Sequence, residues 1–369
     1  YIGREDEKSA CKAATQLVWF VSLSAVAIMI LVYFGKDIIL NQVFGHITAE
    51  VKGHADIYLL IVTASIPFIA LYNGGAAIFR AMGNSQVSMR VSLLMNAINV
   101  TGNAILVFGL RIGAAGVAIP TLISRMVAAI VITALLCNQT RILHIERTLK
   151  IRFDGRMIRK ILAIGVPNGL ENSMFQLGKI LVLSLVSTFG TYAIAANAVS
   201  NAIALFQILP GMAISLAITT VISQCVGAND YEQVRYYLKK LLAIIYVAMV
   251  GTVALIFLAL PLILKAYNLS DQTAAAATNH FHGISAMIIW PLSFALPAAY
   301  RAAGDAKACM YTSIVSMWIF RIGFSYLVGK YMGLGVFGVW VAMVIDWVVR
   351  AICFIIRYFN GKWKHGAIV

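Results

Sequence analysis

Apolar runs of about 20 residues or more recur along the whole chain, and that length matches the hydrocarbon core of a bilayer. Ten can be read, at roughly 14–34, 56–79, 91–110, 113–137, 161–188, 192–226, 241–264, 281–300, 308–329 and 335–356. The sixth is long enough to span and still extend into an interface. Composition removes the soluble alternative. Of 369 residues, 61% are hydrophobic and 12% charged, too little polar surface to cover a water-facing fold. The sequence therefore predicts an all-α polytopic membrane protein.

Charge placement tests that count. With 1–13 on the cytoplasmic side and the loops alternating, 20 of the 29 Lys and Arg fall on that side, Arg301 among them. Five fall outside (Lys36, Lys52, Arg111, Lys265, Lys330) and four within spans. This is the positive-inside asymmetry, with both termini cytoplasmic. The formal charge of +15 is thus a topology signal, with a weaker role at anionic lipid and none at nucleic acid. Residues 139–160 hold seven of the cytoplasmic charges. They read as a basic linker between an N-terminal lobe, 1–138, and a C-terminal lobe, 161–369. The five cysteines show no CxxC spacing, so neither a zinc site nor a disulfide framework is expected.

The lobes are repeats. Tyr1-Ile-Gly-Arg-Glu-Asp resembles Cys225-Val-Gly-Ala-Asn-Asp at an offset of 224. Phe79-Arg-Ala-Met-Gly-Asn resembles Tyr300-Arg-Ala-Ala-Gly-Asp at 221, and Gly113-Ala-Ala-Gly-Val resembles Gly335-Val-Phe-Gly-Val at 222. The second half has six spans and the first four, so two helices, roughly 65–80 residues, are expected before Tyr1. Two six-helix repeats with an even number of spans share one orientation, which makes them parallel.

Polar side chains inside spans carry the functional information, because each charge costs about 2.5–3.5 kcal/mol at a helix centre on insertion scales. Two acids lie well inside, Glu171 and Asp346, with four bases, Arg125, Lys179, Arg321 and Arg350. On the fifth span Asn168, Glu171, Asn172, Gln176 and Lys179 share an arc of roughly 140° at helical spacing. A cavity lining is expected, with a helix-gluing polar seam as the alternative. On the third span Ser92, Asn96, Asn99 and Asn103 share an arc of about 60°; cavity lining and interhelical bonding stand equal there. Asn197 and Asn201 form a weaker version on the sixth. Lys179 can neutralise Glu171. Asp346 and Arg350 sit i,i+4, with Arg321 at similar depth and Arg125 as a fourth member of the charge network. They read as a buried ion pair or triad, or as a network switched by protonation. The intramembrane excess of two positive charges predicts an acid in the expected upstream helices.

Six of the seven prolines lie inside spans, and Pro167 and the pair Pro210-Gly211 are the expected hinges. There is no Walker A loop, no HExxH and no paired-aspartate motif, so neither ATP drive nor an enzyme is expected, and no metal or cofactor.

Together the Ser223-Gln224-Cys225-Val226-Gly227 motif, the Phe79–Asn84 turn and Gly113–Ala118 resemble the prokaryotic multidrug and toxic compound extrusion (MATE) transporters. The resemblance runs over essentially the whole chain. It implies twelve helices in two lobes, with Tyr1 between the second and third. It also implies a multi-pass protein of the cytoplasmic membrane, expected to be monomeric, exporting amphipathic cationic compounds in exchange for H⁺ or Na⁺. In the sodium-coupled branch a helix-10 acid is expected; the matching span 281–300 has none, with Trp290 near that place. Glu171 lies about one turn before the family's helix-7 acid. The expected mechanism is rocking of two lobes about a central cavity. A lipid-linked saccharide flippase of similar design is the alternative, and it calls for a more cationic cavity.

Overall fold

The computed structural model describes residues 1–38, 40, 49–145, 153–266 and 288–366. All regular structure among them is helical. Only helices satisfy their own backbone hydrogen bonds within one apolar segment, so an unbroken apolar run in lipid has no other single-segment solution. The helices are α1 (Glu7–Ile38), α2 (Ala49–Ala64), α3 (Ile66–Ala81), α4 (Ser85–Asn103), α5 (Ala114–Leu136), α6 (Gly155–Ser187), α7 (Thr191–Gly227), α8 (Tyr231–Ala266), α9 (Leu296–Ala302), α10 (Ala306–Ser316) and α11 (Gly335–Phe359). π-helical turns continue α4 (Ala104–Gly109), lead into α9 (Pro291–Ala295) and continue α10 (Met317–Gly323 and Ser325–Tyr331).

Among the described residues seven helices are long and apolar enough to cross a membrane, or eight counting α2 and α3, which meet at 40°, as one broken span. Ten spans were expected. One shortfall, 161–188, is helical throughout within α6, but its polar face takes it below the apolarity of a simple span. The other, 281–300, begins in 281–287, outside the described residues, as do 146–152 of the basic linker.

The chain separates into two compact units, Tyr1–Ile161 and Leu162–Val369. The first packs Cys11, Tyr72, Ala76, Phe79, Ile132 and Leu136 into one core. The second packs Ile218, Ile222, Tyr300, Trp340, Phe354 and Trp363. The outward faces remain apolar. Val247 at mid-α8 is 76% exposed and Phe34 on α1 84%, a cost in water that lipid removes.

The sequence repeat is a repeat of hydrogen bonds. After α3, Gly83 N–H donates to Arg80 O and Asn84 N–H to Phe79 O, with Gly83 at φ 76°. After α9, Gly304 N–H donates to Arg301 O and Asp305 N–H to Tyr300 O, with Gly304 at φ 90°. Each is a left-handed helix stop, which glycine takes without strain. Likewise Asp6 N–H donates to Tyr1 O and Asp230 N–H to Cys225 O, with Glu5 at φ 58° and Asn229 at φ 59°. In the third repeated motif the second glycine permits close helix contact. A Cβ on Gly116 would lie 3.2 Å from Leu106 O, and one on Gly338 only 2.8 Å from the Gly329 backbone.

Candidate functional site

α6 builds one wall of a cavity inside the second unit. Side chains at i, i+3 and i+4 share a helix face, and Asn168, Glu171, Asn172, Phe175, Gln176 and Lys179 all line the same space. Its volume is about 720 Å³, within the range of small-molecule sites. Asn197 and Asn201 face it from α7. Opposite stands an aromatic wall: Trp290 stacks on Phe294 at 5.3 Å between centroids, and Phe294 meets Phe175 and Trp347 edge-on at 6.1 and 5.9 Å. Trp340 and Met343 complete that side.

Among the described residues the charged lining is one acid and four bases: Glu171 with Lys179, Arg301, Arg321 and Arg350. Glu171 Oε2 lies 3.2 Å from Arg301 Nη1, and its Oε1 3.6 Å from Arg350 Nη2. The expected pairing of Glu171 with Lys179 is not made. Both lie on α6, while the arginines reach in from α9 and α11, a cross-helix approach that spacing along one helix cannot show. Arg301 was assigned to a cytoplasmic loop and belongs instead to the last turn of α9, facing the cavity. The signal available was its place in the repeat, the same position that Arg80 occupies in the first half.

Lys179 Nζ sits 5.1 Å from the Phe175 ring centroid, the Arg321 guanidinium 5.3 Å and that of Arg350 6.0 Å. Arg350 also covers Phe294 at 4.5 Å and donates to Ser313 Oγ at 2.6 Å. It is 1% exposed, and among the described residues its Nε and Nη1 have no hydrogen-bond partner. The expected Asp346–Arg350–Arg321 ion triad is not formed, since no acid–base contact within 4.0 Å involves Asp346 among the described residues. Asp346 turns to α10, where its Oδ1 accepts from Ser316 Oγ at 2.6 Å, while Arg350 turns to Glu171. Sharing a helix face brings Cβ atoms near each other; these two side chains find nearer partners on neighbouring helices.

Asn96, Asn99, Asn103 and Arg125 lie in the first unit. Asn103 Nδ2 donates to Asn99 Oδ1, and Asn99 Nδ2 to Thr121 Oγ1 on α5, both at 3.1 Å. Asn96 is exposed. Arg125 does not join the charge network. Its Nη1 donates to Ser65 Oγ at 2.7 Å, and Ser65 donates to Val62 O at 2.6 Å, so it holds the break between α2 and α3. Pro167 and Pro210 lie inside continuous α6 and α7, and Gly211 packs beneath Trp290. Among the described residues no cluster of His, Cys, Asp and Glu could hold a metal ion.

Comparison with known proteins places this architecture. The MatE family profile matches residues 1–105 and 167–327. The uncharacterized transporter YisQ of Bacillus subtilis is 26% identical, over 98% of this chain and 80% of its own length. The probable multidrug resistance protein NorM of Thermotoga maritima is 22% identical, over 97% and 78% respectively. A solved MOP superfamily transporter of Pyrococcus furiosus, whose binding pocket is described as reversed in polarity, superposes with a TM-score of 0.88 at 20% identity. That alignment covers 100% of this chain and 81% of the other. An all-helical polytopic fold, a matching profile over most of the chain and a charged cavity among apolar helices agree: the chain belongs to the MATE family of membrane transporters.

Proposed function

We propose that the chain exports amphipathic small molecules by alternating access, in exchange for H⁺ or Na⁺, and that Glu171 is the acid through which ion and substrate are coupled. The observation that carries this reading is the Glu171 carboxylate, held between Arg301 and Arg350 on a cavity wall of a chain otherwise built for lipid. Its two partners come from different helices. Neutralising it by a proton loosens α6 from α9 and α11 together, and that difference between packings is what couples ion to substrate. Asn172 and Gln176 supply polar contacts, with Asn168, Asn96, Asn99 and Asn103 as further candidates, while the aromatic and Met side chains form an adaptable wall. The two units act as two lobes, 1–138 and 161–369, in the cytoplasmic membrane of a prokaryote, with both termini cytoplasmic.

The relatives named for multidrug resistance support drug-like substrates, and family resemblance implies cations. The four bases to one acid favour a second reading, an anionic substrate such as the diphosphate of a lipid-linked saccharide. The test of coupling is Glu171→Gln in vesicles. Normally inserted protein is expected to lose gradient-driven export by at least tenfold. Export at the wild-type rate removes Glu171 from the mechanism.

A further inference from the structure

We propose that the Phe175 corner of this cavity binds the anionic head of an amphipathic molecule, a carboxylate, sulfonate or phosphate ester, between Lys179, Arg321 and Arg350. The inference rests on the transport reading only in taking this cavity as the substrate's. Three cationic groups surround one phenyl ring, at 5.1, 5.3 and 6.0 Å from its centroid. The negative ring face attracts each cation, but one neutral ring cannot cancel the repulsion among three. Neither Lys179 nor Arg321 has an acid within 4.0 Å among the described residues. Arg350 has one, Glu171 at 3.6 Å, and Arg301 claims that carboxylate at 3.2 Å.

Arg350 makes the corner a prepared site. It is 1% exposed, lines the cavity, and keeps two nitrogens, Nε and Nη1, without a hydrogen-bond partner among the described residues. Buried guanidinium nitrogens favour a charge-assisted acceptor, and a planar fork suits the paired oxygens of a carboxylate or phosphate. Asp346 accepts from Ser316 through Oδ1, and its Oδ2 has no hydrogen-bond partner among the described residues; counting it still leaves bases in excess. The stacked Trp290 and Phe294, with Trp347 edge-on, offer flat apolar surface for the body of the same molecule. A cation placed here would face like charge on three sides.

The experiment is equilibrium quenching of tryptophan fluorescence in the purified full chain, in neutral detergent and without any gradient. The probes share one aromatic body: naphthalene sulfonate, naphthyl phosphate and naphthyl trimethylammonium, with a single-chain phosphate lipid as a fourth. The anions are expected to bind at least tenfold more tightly than the ammonium. The Lys179→Gln, Arg321→Gln double variant is expected to lose at least tenfold for the anions and to gain for the ammonium, with Lys179→Arg retaining wild-type preference. A lipid probe tighter than naphthyl phosphate assigns the head to a lipid, and the reverse order to a soluble anion. Ammonium binding as tight as anion binding, no saturable anion binding, or an unchanged anion affinity in a folded double variant overturns the proposal. Failure of the coupling role of Glu171 shows in flux and leaves these affinities untouched, so the two ideas fall separately.

Discussion

Asp154 precedes α6, where its Oδ1 accepts from the backbone N–H groups of Arg156 and Met157 at 3.0 and 3.3 Å. Its Oδ2 meets Lys12 Nζ at 2.6 Å. The Lys12 contact, and after it the Met157 amide, hold the carboxyl below its ordinary value of 3.8. A depressed acid stabilises the fold fully above the unfolded value and loses that contribution as pH falls through the folded one. Protection of the Arg156 and Met157 amides against hydrogen exchange is therefore expected to hold at pH 5 and to fall below pH 3.8, while Asp154→Asn shows no such step. At this scale the sequence reveals depth better than partners. Glu171 and its face of α6 were legible because helical spacing alone puts them together. Arg301 and the separate commitments of Asp346 and Arg350 were not, because tertiary contact between helices decides them.

Helix stops and helix contacts ask glycine for two different things. Gly83 turns the chain at φ 76° with nothing within 4 Å of a would-be Cβ. Gly338 sits in an ordinary helix, but a would-be Cβ there would fall 2.8 Å from the Gly329 backbone. Gly83→Ala is expected to cost about 1–2 kcal/mol through left-handed strain alone, and Gly338→Ala about 1–3 kcal/mol through overpacking. Thermal unfolding in detergent measures both, and a larger replacement separates them. Leu worsens position 338 steeply and position 83 little. Both glycines sat in repeated motifs visible in the sequence. The break at Ser65 was not visible, since it depends on Arg125 reaching across from α5. Pro167 and Pro210 lie within α6 and α7, each of which continues through its proline.

Solvent for this molecule is mostly hydrocarbon, and its charges sort accordingly. Val247→Arg puts a cation on the outer face of mid-α8 and is expected to cost about 2.5–3.5 kcal/mol on insertion scales. Glycosylation mapping reads that as a fall in the inserted fraction; unchanged insertion would remove α8's outer face from the lipid. The fold class was open to reading because run length and charge asymmetry are properties of the chain alone. The polarity of the cavity was not, because it emerges only when α6, α7, α9, α10 and α11 pool their side chains. Within that pool, Gly211 holds the Trp290 indole so closely that a Cβ would fall 2.4 Å from its ring. Any bulk added at position 211 must push the indole toward the cavity, so a residue hidden behind the wall sets the girth of what the compartment can admit.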